Sequence, residues 1–158
     1  PTTQHYFDKR NTLILKIENY FDFCKQNIKH SFAKKQDELE LLLDDVFEYS
    51  LISFLLLKYK NDVGYLFRNL QNIAKQEYKN FARFLVQKNT EYGNASISDG
   101  LHFIGNSLRL NDKKQRLISL QTITDVKFES ELDTVKDCLG YAVLGKIIHY
   151  NFYSKSKV

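Results

Sequence analysis

ELELLLDDVFEYSLISFLL, residues Glu38–Leu56, reads as one long helix. Leu39, Leu41, Leu42, Leu43, Val46, Phe47, Leu51, Ile52, Phe54, Leu55 and Leu56 recur at helical steps and lie nearly all round the axis. A helix apolar on all sides belongs in the middle of a bundle. The helix extends over about Gln36–Lys60. Before it, Leu13, Ile17, Tyr20, Phe21, Cys24 and Ile28 follow three- and four-residue steps, predicting an earlier helix over about Asp8–Ser31. Asn61 and Asp62 read as the cap of a third helix reaching about Asn89.

The segment from Thr90 to Gly100 reads as a loop, rich in Asn, Ser, Asp and Gly. A fourth helix is expected over about Phe103–Leu120, bent near Gly105. A connector from Gln121 to Val126 leads to a last helix over about Lys127–Tyr153. The expected architecture is all-α: one domain over 1–158, a bundle of about five helices. Helices within 8–89 pack on a C-terminal part, 90–153, that carries the motifs.

Composition agrees. The chain has 158 residues with 6 Gly and a single Pro, too few turn-formers for an all-β protein of this size. Lys plus Arg number 23 and Asp plus Glu 19, a formal charge of +4 with acids interspersed, which argues against a nucleic-acid partner. Cys24 and Cys138 lack ligand spacing and read as buried thiols in a reducing compartment. The longest apolar run, Leu51–Leu57, is too short to span a bilayer. A cytoplasmic protein without membrane contact is expected.

The chemistry concentrates in FESELDTVKDCLGYAVLGKIIHY, Phe128–Tyr150. Glu129, Asp133 and Asp137 stand four residues apart, each about 40° further round the helix, and form one stripe. Like charges at this spacing repel and need compensation: either a cation such as Mg²⁺, which takes oxygen ligands of this kind, or a solvated acidic face with acids paired to lysines of the bundle. Glu131 points elsewhere on the helix, toward solvent in this reading. On the fourth helix Arg109, Asp112, Lys113 and Arg116 share one face. They suit either a phosphate clamp beside a metal carboxylate or an intrahelical salt-bridge lattice. Glu40, Asp44 and Glu48 repeat the four-residue spacing on the second helix, so Asp44 and Glu48 are second-tier site candidates.

Three stretches carry a resemblance: KNTEYGNAS (Lys88–Ser96), SLRLNDKKQRLISL (Ser107–Leu120) and ESELDTVKDCLGYAVL (Glu129–Leu144). In this order they resemble the MazG-like all-α nucleoside triphosphate pyrophosphatase superfamily, and most closely its nucleotide-modification-associated domain branch, frequent in phages and bacteria. The match covers about residues 80–150. Glu91 and Cys138 depart from the branch pattern, and Asp112 stands where the wider superfamily has a pair of Glu.

The resemblance implies a four-helix core and hydrolysis of a ribo- or deoxynucleoside triphosphate to the monophosphate and pyrophosphate. It implies Mg²⁺, with Mn²⁺ as a substitute, held by Asp112, Glu129, Asp133 and Asp137, the last three forming the catalytic acid set. Lys88, Arg109, Lys113 and Arg116 would hold phosphates, and Tyr92 and Asn94 would meet the base or sugar. It also implies a homo-oligomer, a dimer or tetramer. The competing expectation is a non-catalytic helical interaction module on the same scaffold, an immunity or inhibitor protein or a nucleotide sensor.

Overall fold

A computed structural model describes residues 2–29, 32–59, 63–77, 79, 80, 83, 99–121 and 128–154. Among them there is no strand. The helices are α1 (Thr2–Gln26), α2 (Gln36–Lys58), α3 (Val63–Arg68), α4 (Asp99–Gln121) and α5 (Phe128–His149). A 3₁₀ turn over Phe32–Lys35 precedes α2, and a π turn over Tyr150–Ser154 follows α5. The expected all-α bundle is therefore what the chain forms.

Cross-helix contacts fix the directions. Lys16 meets Asp45 at 3.4 Å and Lys9 lies over the Tyr49 ring, so α1 and α2 are antiparallel. Cys24 reaches the Phe103 carbonyl while Lys114 reaches Glu18, so α4 also opposes α1. Lys113 pairs with Asp137 and Asn106 with Tyr141, so α5 opposes α4. The order is up, down, down, up. Helix α2 therefore ends at the opposite end of the bundle from the start of α4. Around the bundle α2 and α4 each pack on both α1 and α5, which leaves α1 and α5 on a diagonal.

Helix α1 starts six residues before the expected Asp8, because Tyr6 and Arg10 are drawn into the interior. It ends at Gln26, where the Asn27 side chain and backbone both donate to the Phe23 carbonyl. Its stripe of Leu13, Ile17, Tyr20 and Cys24 is fully buried, whereas Ile28 is exposed. Helix α2 buries Leu39, Leu43, Val46, Phe54, Leu56 and Leu57, but Leu41 is 67% exposed. The helix thus has an outer face and is not enclosed all round.

The third helix is interrupted within its described part. After α3 the Asn69 side chain donates to the Tyr65 carbonyl at 3.0 Å, sharing it with the Asn69 backbone N–H. Helical geometry resumes over 70–77. Glu77 ties this segment back to α2 through Lys58 at 2.5 Å and the Tyr59 hydroxyl at 3.3 Å. The expected cap at Asn61 and Asp62, and the loop from Thr90 to Ser98, lie outside the described residues. Asp99 and Gly100 belong to α4, not to the loop, and α4 runs through Gly105 as one helix.

One apolar core runs from Tyr6 to Tyr153. Its upper end is aromatic: Phe32 stacks on Phe103 with centroids 5.8 Å apart, and Phe103 stacks on Tyr153 at 6.0 Å. Lower down, Gly145 lets α5 approach its neighbours. A Cβ there would stand 2.6 Å from Leu43 Cδ2 and 2.8 Å from Asn106 Oδ1. Asn106 uses that space to accept from the Tyr20 hydroxyl at 2.8 Å and to donate to the Tyr141 carbonyl at 2.9 Å. No described helix is long and apolar enough to cross a membrane.

Candidate functional site

The seam between α4 and α5 gathers most of the candidate residues that the structure describes. Lys113 Nζ lies 3.1 Å from Asp137 Oδ2, with both side chains about one quarter exposed. Asp137 therefore borders the packed face. Asp133, one turn earlier, is exposed, as is Asp112 across the seam. Arg109 and Arg116 are exposed one turn either side of Lys113. The seam is a rim with a basic edge on α4 and an acidic edge on α5. Glu129 belongs to the first turn of α5, and its side chain lies outside the described part. Lys88, Tyr92 and Asn94 also lie outside the described residues.

Among the described residues no group of three His, Cys, Asp or Glu side chains is arranged to hold a metal ion. Mg²⁺ asks less of a protein than that. It keeps several waters and binds through one or two carboxylates plus substrate phosphates. Asp133 and Asp137, accessible and one turn apart, match that donor chemistry.

Asp44 is placed elsewhere. It pairs with Lys146 on the α2–α5 side, and Asp137 and Lys146 emerge from opposite edges of α5, about 180° apart. A cleft of about 200 Å³ lies there, lined by Glu40, Leu43, Asp44, Lys146, His149 and Tyr150. His149 is buried against Tyr153 and bonds the Gln36 carbonyl at 2.7 Å. Glu48 is exposed. Neither second-tier acid joins the α4–α5 rim.

Glu131 corrects the expectation of a solvated acid. It does occupy a different face from Asp133 and Asp137, but that face is the interior. Its Oε1 accepts from the Tyr6 hydroxyl at 2.6 Å and from Arg10 at 2.7 Å. Glu131 is 6% exposed and Arg10 8%. Arg10 Nε has no hydrogen-bond partner among the described residues, so Glu131 is the acid that compensates this guanidinium. The Arg10 plane also lies over the Phe7 ring, 4.6 Å from its centroid. The signal was present in the spacing: Tyr6, Arg10, Leu13, Ile17 and Tyr20 form one helical stripe, and a charged residue in an apolar stripe needs a buried partner.

Lys114 is a second buried charge, on α4, but its partner Glu18 is part-exposed. Lys114 occupies the buried register between Leu110 and Leu117 and reaches Glu18 at 3.4 Å. Burial also raises both thiols from the ordinary 9.0 to about 12. Neither cysteine is a nucleophile at neutral pH, because the thiolate is the reactive form.

No protein-family model matches this chain, and no curated protein or solved structure matches it either.

Proposed function

We propose that this protein hydrolyses a nucleoside triphosphate, ribo- or deoxy-, to the monophosphate and pyrophosphate at the α4–α5 rim. The observation that carries the reading is the 3.1 Å contact between Lys113 and Asp137. It sets the helix bearing Arg109, Asp112, Lys113 and Arg116 directly against the helix bearing Asp133 and Asp137. The MazG-like resemblance of these stretches requires that juxtaposition.

The chemistry follows from charge. A triphosphate cannot approach Asp133 and Asp137 unless its own charge is offset. Arg109 and Arg116 present planar forks suited to phosphate oxygens, and Lys113 adds a compact charge between them. Asp133 and Asp137, with Asp112 across the seam, would hold Mg²⁺ or Mn²⁺. Bound there, the ion would supply a water of lowered pKa and offset charge developing on phosphoryl oxygens. A carboxylate of the rim would take the proton of the attacking water.

The proposal includes a cytoplasmic homo-oligomer, a dimer or tetramer. Large apolar side chains at the surface support it, with Phe67 84% exposed and Leu41 67%. Light scattering tests it, and a monomer at high concentration contradicts it.

The second reading is a non-catalytic helical interaction module, such as an inhibitor or nucleotide sensor. It is favoured by Asp137, whose charge Lys113 already neutralises. One assay separates the two. The chain is incubated with a panel of ribo- and deoxynucleoside triphosphates and Mg²⁺ or Mn²⁺, and pyrophosphate release is measured. Release supports hydrolysis; no release with any of them overturns it in favour of the module.

A further inference from the structure

Helices α1 and α5 stand on the bundle diagonal, yet Tyr6, Arg10 and Glu131 join them through the interior. Removing charges from water is costly, and an apolar trio of similar volume is often no less stable. What the ion pair supplies is direction. Apolar packing is non-directional, so Val135 and Leu139 alone define the rotation of α5 loosely. A carboxylate held at 2.6 Å and 2.7 Å by two donors defines it closely.

The rotation matters at the rim. At about 100° per residue, Asp133 lies about 200° round from Glu131 and Asp137 about 240°. With Glu131 pinned inward, Asp133 faces outward and Asp137 faces α4. A second pin, from Asn106 to the Tyr141 carbonyl, holds α5 beyond Asp137. Asp137 thus sits between two polar anchors, of which Glu131 is the one nearer Asp133.

We infer that Glu131 is a positioning residue: clamped by Tyr6 and Arg10, it holds α5 at the rotation that sets Asp137 against Lys113 and presents Asp133 beside it. Its catalytic consequence rests on the proposed hydrolysis; its geometric content does not.

The test uses the full chain and two variants. Glu131→Gln removes the acid. Tyr6→Phe removes the hydroxyl that donates to Glu131 and leaves the Arg10–Glu131 pair in place, so it is the milder change if Glu131→Gln does not fold. A carbodiimide joins an amine to a carboxylate already in contact, and mass spectrometry measures the Lys113–Asp137 link. The expected result is a link in the wild-type chain whose yield falls several-fold in Tyr6→Phe, with helicity by circular dichroism retained. An unchanged yield in the folded variant overturns the inference, as does absence of the link in the wild type. Where the wild type releases pyrophosphate, Tyr6→Phe also raises the Mg²⁺ concentration for half-maximal rate, by about ten-fold as for residues that orient metal ligands. A wild type without turnover removes the hydrolase reading, and the cross-link still decides the positioning role.

Discussion

Arg10 of α1 and Glu131 of α5 form an ion pair at 2.7 Å across the diagonal of the bundle, with both side chains more than nine-tenths buried. The two residues are far apart in sequence and their helices are not principal neighbours. The contact therefore ties the beginning of the chain to the helix that carries Asp133 and Asp137. A stability consequence follows directly. Glu131→Gln strands the Arg10 charge in the interior and should cost about 3–5 kcal/mol. Tyr6→Phe removes a hydrogen bond to a charged acceptor and should cost about 1.5–3 kcal/mol. Urea unfolding measures both. Equal and small effects would contradict the burial of this pair.

The glycines of α4 and α5 should respond in opposite senses. Gly145→Ala places a Cβ 2.6 Å from Leu43 and 2.8 Å from the Asn106 amide oxygen, and should destabilise by about 1–3 kcal/mol. A Cβ at Gly105 meets nothing within 4 Å. Gly105→Ala should therefore stabilise by about 0.5–1 kcal/mol, the helix-interior preference of Ala over Gly. Thermal melts of the two variants settle the signs.

Alkaline pH should weaken the fold. Burial raises Cys24 and Cys138 from the ordinary 9.0 to about 12. It raises Tyr20 as well, and Tyr6 is raised by burial and by its bond to Glu131. All four are neutral when protonated, and the unfolded chain ionises at the lower values. Their contribution is thus fully present below about pH 9 and is lost as pH climbs toward about pH 12. The urea midpoint should be level near neutrality and fall through the alkaline range. Iodoacetamide should label both thiols only after unfolding. A native chain labelled rapidly at neutral pH would contradict their burial.

At the rim, stability and activity should separate. Asp133 is exposed, so Asp133→Asn should change stability by less than about 0.5 kcal/mol. Under the proposed hydrolysis it should lower turnover by about a hundred-fold, the scale of losing a metal ligand or its support. The part-exposed Lys113–Asp137 pair should likewise contribute only about 0–1 kcal/mol in a double-mutant cycle. Pyrophosphate release beside thermal melts checks each. An active Asp133→Asn enzyme would remove this acid from the site.

Local spacing was enough to locate the long helices and the faces on which α4 and α5 carry their charged residues. Periodicity located α2 to within two residues of its end, because local apolar spacing and helix geometry share one period. It also placed Asp133 and Asp137 on one stripe, and Arg109, Lys113 and Arg116 on another. Which stripes meet is set by the packing of the helices. Four-residue spacing looks the same for Glu40, Asp44 and Glu48 as for Glu129, Asp133 and Asp137. Yet Asp44 faces Lys146 on one edge of α5, and Asp137 faces Lys113 on the other. Spacing separates the faces of a helix without stating which face is inside. Spacing alone points Glu131 to solvent, and its burial depends on Tyr6 and Arg10 arriving from the other end of the chain. A buried charge is settled by its partner, and a partner so distant in sequence is brought within reach by packing alone.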